Sequence, residues 1–143
     1  MSRQPRNVTF GLLSGAGLLC LVASVGATSP SRLPAQPSSL RQTLSQAPAA
    51  THSRQNPYDA QADAVLAGGK LFRHHCAECH GPAGGGSEHA PSLRSPLIKE
   101  TAPGVLFWFL TNGNLKHGMP SWSRLPDERR WQLVSYLKSL ATP

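Results

Sequence analysis

At 143 residues the chain has room for one domain rather than two. Its formal charge of +7 is uneven: five arginines precede Pro57, whereas nine Lys/Arg against seven Asp/Glu follow it and leave only +2. That near balance, and a basic flank with no interleaved aromatic residues, argue against nucleic-acid binding.

Residues 1–27 read as an export signal, or as an N-terminal anchor if they stay attached. Arg3 and Arg6 supply the positive start, Phe10 to Val25 is apolar, and Val25-Gly26-Ala27 suits cleavage after Ala27. Asn7 to Ser31 carries no charge and is long enough for a span of about 20 residues, but its Gly and Ser content favours cleavage. Cys20 follows Leu19 rather than a small residue, so it reads as part of the apolar signal and not as a lipidation site.

Residues 28–56 read as a disordered linker of Ser, Pro, Gln, Ala and Thr, with no aromatic residue and no acid. Such a composition buries too little apolar area to offset its ordering entropy. On an anchored chain it would serve as a tether of about 30 Å.

The folded domain is predicted over residues 57–143, as helices without a convincing strand. A first helix runs from Asp59 or Asp63 to His74, with the carboxylates at its positive end. Gly68, Phe72 and Cys76 lie four apart, on one face of it. Gly81-Pro82-Ala83-Gly84-Gly85-Gly86 is a loop. Neither a preceding strand nor a following Lys-Ser/Thr makes it a phosphate loop. A second helix fits Pro103 to Asn112, closed by Gly113. A last helix fits Pro126 to Leu140, with Asp127 and Glu128 in its first turn and Trp131, Val134, Leu137 and Leu140 on its apolar face.

Between the first helix and the glycine loop stands Cys76-Ala77-Glu78-Cys79-His80. This C-x-x-C-H run is the pattern of covalent haem attachment. Two intervening residues let the thiols span the porphyrin edge, and the adjacent His supplies an axial nitrogen. Two other chemistries use the same cysteine pair. A zinc site needs about four ligands, and no second C-x-x-C is present. A thioredoxin-like dithiol usually sits in a βαβ pattern, of which there is no sign.

A haem held by His80 has a sixth position that is either filled or open. Met119, in Gly118-Met119-Pro120, is the only methionine besides Met1. Its thioether is a soft ligand suited to electron transfer, and Pro120 stiffens the loop that would hold it. The alternative is that Met119 merely fills the core. His117 is the second candidate ligand. His52, His74, His75 and His89 read as solvated surface histidines. Phe72, Leu93, Leu97, Phe107 and Trp108 read as pocket walls or plain core.

Taken together, these residues resemble a class I c-type cytochrome over about 85 of the 143 residues. The resemblance rests on Gly68, Phe72, Cys76, Cys79 and His80, on Ala90-Pro91-Ser92-Leu93, on Asn112-Gly113, on Gly118-Met119-Pro120 and on the ending Trp131 to Leu137. It is strongest to small bacterial monohaem domains found beside quinoprotein alcohol or sugar dehydrogenases or in terminal oxidase subunits. The resemblance implies an all-α cytochrome c fold of three or four short helices around one covalent haem c. It implies that the first and last helices cross at Gly68 and Tyr136, and that the Pro91 carbonyl accepts the His80 N–H. It suggests Trp122 or Arg94 as a propionate partner. The family's Ser or Thr cap on the last helix is replaced here by Leu125-Pro126, a loss of about 1 kcal/mol.

The function that follows is a periplasmic, monomeric one-electron carrier with a His80/Met119 haem, and not an enzyme. Its expected partners are a dehydrogenase as donor and an oxidase or another cytochrome as acceptor, with membrane contact only through an uncleaved N-terminus. The competing function is a haem enzyme or gas sensor with an open sixth iron position.

Overall fold

Pro103–Asn112 is apolar around its whole circumference, and such a helix must be covered on more than one side. The structure, a computed structural model, describes residues 37–140. Its helices in chain order are α1 (Pro37–Leu44), α2 (Ala49–His52), α3 (Ala62–His75), α4 (Ala77–His80), α5 (Pro96–Glu100), α6 (Pro103–Asn112) and α7 (Asp127–Leu140). A 3₁₀ turn covers Leu115–His117, and no strand occurs among the described residues. The class is therefore all-α, as expected. α6 is the buried centre, with Val105, Leu106, Phe107, Phe109 and Leu110 in the core. α7 covers part of it, and α1 and α2 cover another part. No described helix is long and apolar enough to cross a membrane.

The most extensive helix pair is α3 with α7. Gly68 makes their approach possible: a Cβ there would stand 2.0 Å from Gln132 O and 2.8 Å from Tyr136 Cβ. Phe72, one turn on, is fully buried and meets the Tyr136 ring at a centroid distance of 5.2 Å. The crossing thus fixes the C-terminal end of α3, from which the cysteine motif departs. α7 starts one residue later than expected. The Pro126 carbonyl accepts the Arg130 N–H at 3.2 Å, so Pro126 is the cap residue and has no side-chain oxygen to offer α7.

The linker expected over residues 28–56 requires correction where it is described. Residues 37–56 are part of the fold. Leu40, Leu44 and Ala47 are buried in the core around α6. The α2 backbone lies directly on the first turn of α6, where a Cβ on Gly104 would stand 2.1 Å from Thr51 O. The Arg54 guanidinium sits 4.3 Å from the Phe107 ring centroid and 5.0 Å from that of Trp131, and it pairs with Asp127 at 3.5 Å. Asn56 is buried, and its Nδ2 donates to Ser135 Oγ at 2.9 Å and to Trp131 O at 3.3 Å. The physical reason is local. A few apolar residues at helical spacing, diluted by Ser, Gln and Pro, suffice when a fully apolar helix waits for a cover. Residues 28–36 and the expected signal at 1–27 lie outside the described residues.

The same contacts place Phe107 in the core. It stacks on Trp131 with centroids 4.2 Å apart and carries a second cation, Arg130, at 4.6 Å. Arg130 is buried, and its guanidinium donates to Thr111 Oγ1 and Asp127 Oδ1. Those charge-assisted bonds offset the cost of taking the cation out of water.

Candidate functional site

The motif is a direct product of how α3 ends. Cys76 N–H still donates to Phe72 O at 2.9 Å, so the cysteine leaves from the face that Phe72 anchors. One further turn, α4, follows: Cys79 and His80 both return N–H bonds to Cys76 O, at 3.2 and 2.9 Å. This tight turn brings Cys76, Cys79 and His80 together within a single helical turn. Cys76 is half-buried and Cys79 is exposed, and both are free thiols. Burial, with Cys79 beside it, pushes the Cys76 thiol up to about 11, so it stays protonated at neutral pH.

The glycine loop then doubles back beneath the motif. Gly86 N–H donates to His80 O at 2.9 Å, and Ser87 Oγ donates to Cys79 O at 2.6 Å. Leu93 N–H closes the loop onto Gly84 O at 2.9 Å. Gly86 must be glycine, because its φ is +88° and a Cβ would stand 2.7 Å from Ser92 N. The result is to deliver Pro91 to the histidine: His80 Nδ1 lies 3.2 Å from Pro91 O. With Nδ1 as donor, Nε2 is left as an unprotonated lone pair. Burial lowers the His80 pKa, and the Pro91 bond opposes this only in part, so the ring is held neutral. A neutral, oriented imidazole is what an iron atom requires of a nitrogen ligand.

Met119 arrives on a different segment. After α6 the chain makes the 3₁₀ turn Leu115–His117 and returns, pairing Asn114 with Met119 as an isolated antiparallel bridge. Asn114 N–H donates to Met119 O at 2.8 Å, and Met119 N–H donates to Asn114 O at 3.1 Å. Trp122 N–H donates to Leu110 O at 2.9 Å, which fastens the returning segment to α6. Met119 is half-buried and packs against the core. The two segments approach each other one residue before the cysteines, where the His75 and Trp122 rings stand 5.1 Å apart. A cavity of about 620 Å³ is shared by His75 and by Pro120, Trp122, Arg124 and Leu125.

The other candidates fall elsewhere. His117 is exposed, and its Nδ1 bonds Asn114 Oδ1 at 3.0 Å. His52, His74, His75 and His89 are exposed, as is Arg94. No group of three or more His, Cys, Asp or Glu side chains converges among the described residues.

The donor set fits a covalent haem: two unpaired thiols on one helical turn, a neutral imidazole with Nε2 free, and a thioether held by a bridged loop. Reasoning from sequence missed the contribution of Asn114, whose backbone and side chain organise the Met119 loop. An asparagine beside a glycine gives little sign of that role.

Residues 63–137 match the family model described as cytochrome c oxidase, cbb3-type, subunit III. The matched span includes the motif, Pro91 and Met119, and begins after α1 and α2. No curated protein and no solved structure matches the chain.

Proposed function

Since the chain belongs to the family of cytochrome c oxidase, cbb3-type, subunit III, and so carries a c-type cytochrome domain that transfers electrons through haem, we propose that it is a periplasmic carrier with a single haem c on Cys76 and Cys79. His80 and Met119 would hold its iron. When bound, haem supplies a one-electron iron couple.

The chain's own residues bind, orient and shield. Cys76 and Cys79 would provide the two thioether bonds to the haem. The Pro91 carbonyl holds the His80 ring by Nδ1 and presents Nε2. Met119 offers a soft sulfur that raises the reduction potential. With His80 and Met119 both holding its iron, the group would be suited to electron transfer rather than to binding a substrate. The observation that carries the proposal is the bond from His80 to Pro91, delivered by the loop that follows the motif. Donor and acceptor are protein redox partners, with a dehydrogenase upstream and an oxidase or another cytochrome downstream. The carrier acts as a monomer, and residues 1–27 direct it out of the cytoplasm.

The test is to express the full chain with its haem-attachment machinery, fractionate the cells, and extract the purified protein with acidified acetone. Haem should stay with a periplasmic or membrane-tethered polypeptide, and should extract readily from the Cys76→Ser, Cys79→Ser double variant. Haem that leaves the wild-type chain, or a chain retained in the cytoplasm, contradicts the proposal.

A further inference from the structure

Residues 37–56 lie outside the matched family region, yet they reach the loop that carries Met119. Thr43 is half-buried on α1, between the core residues Leu40 and Leu44. Its Oγ1 donates to Ser39 O at 2.9 Å and accepts from Asn114 Nδ2 at 3.2 Å, across 71 residues of sequence. Asn114 is the hub of the loop. Its backbone pairs with Met119 in both directions, and its Oδ1 accepts from His117 Nδ1. One hydroxyl on α1 is therefore joined through a single residue to the backbone of Met119.

The loop has little else to hold its tip. Residues 115–118 are all exposed, and Leu115 is 76% exposed. Segments with few buried contacts open at low cost, so each tether weighs heavily on their equilibrium. α1, in contrast, is pinned by the burial of Leu40 and Leu44.

We propose that α1 is a strut for the Met119 loop and that Thr43 is its positioning residue, setting how readily the sulfur leaves iron. This rests on the reading of Met119 as an axial ligand. Thr43 acts only through Asn114. The N-terminal segment is then a device by which this chain tunes a ligand that its family-matched region carries.

Imidazole is the probe. Added to the oxidised, haem-bearing full chain, it competes with the thioether and abolishes the weak far-red sulfur-to-iron absorption band. Thr43→Val keeps the side-chain shape and removes the hydroxyl. A neutral hydrogen bond contributes about 1 kcal/mol net. Its loss should lower the apparent imidazole Kd about fivefold, at 1.4 kcal/mol per tenfold. Thr43→Ser retains the hydroxyl and should stay within about twofold of wild type. Ser45→Ala, on the exposed end of the same segment, should leave the titration unchanged. Denaturant unfolding run in parallel reports any general loss of stability, which by itself does not move the imidazole titration. If Thr43→Val binds imidazole like wild type, or Thr43→Ser shifts as far as Thr43→Val, the strut is wrong while Met119 ligation stands. If the wild type has no far-red band, Met119 ligation fails and the strut fails with it.

Discussion

Gly68 offers the sharpest test of the packing that positions the motif. An alanine there places its Cβ 2.0 Å from Gln132 O, 2.7 Å from Gln132 C and 2.8 Å from Tyr136 Cβ. Two of these are backbone atoms and cannot rotate away, so α3 and α7 must separate by about 1 Å, which forfeits roughly a quarter to a half of each contact's dispersion energy. Overpacking costs about 1–3 kcal/mol, and a clash against backbone belongs at the top of that range. Alanine's better helix propensity returns about 1 kcal/mol. The net expectation is a loss of about 2 kcal/mol. Gly69→Ala is the matched control, because its Cβ meets side chains alone, the Tyr136 ring edge at 3.1 and 3.3 Å and Arg73 Nη1 at 3.8 Å, which can yield by that little. Its gain in propensity should leave it within about 1 kcal/mol of wild type. Urea unfolding of the haem-bearing protein, followed by far-ultraviolet circular dichroism, gives both values from midpoints at constant slope. A Gly68→Ala protein as stable as Gly69→Ala would refute the crossing as described.

Arg54→Ala removes a cation from the Phe107 and Trp131 rings and a partner from Asp127. With the side chain about half exposed, the expected loss is about 1 kcal/mol, read by the same urea assay, and an unchanged midpoint would detach residues 37–56 from the fold. Stability should also fall in mild acid. Burial sets the folded His80 pKa below its ordinary 6.5, so the unfolded chain binds the proton more tightly. The His80 contribution is complete above about pH 6.5 and is lost as pH falls from there through the folded value. The urea midpoint should therefore be lower at pH 5 than at pH 7.5, and an equal or higher midpoint at pH 5 contradicts the burial of a neutral ring.

Much of the site is legible in the residues themselves. The spacing of Cys76, Cys79 and His80 is chemical, and Pro103, Gly113 and the apolar rhythm of α7 mark helix ends that the structure reproduces within about one residue. Gly68 facing Tyr136, and Pro91 facing His80, follow from the resemblance and recur as contacts. What escaped is the N-terminal cover. Its composition is polar on average, and its anchors are a few side chains that act one at a time: Leu40 and Leu44 four apart, Arg54 through its guanidinium, and Asn56 through an amide. The sign of it lay elsewhere, in α6, whose apolar circumference demands more cover than α7 supplies. The short helix α5 was equally unmarked, because five residues carry too little periodicity to register.

The central claim is that His80 and Met119 close both faces of one covalent haem. The most direct measurement is the far-red sulfur-to-iron band of the oxidised protein, read together with carbon monoxide binding to the reduced form. Wild type should show the band and bind carbon monoxide poorly; Met119→Ala should lose the band and bind the gas readily. A wild-type protein that lacks the band and takes up carbon monoxide at once would contradict the account and point to an open iron site.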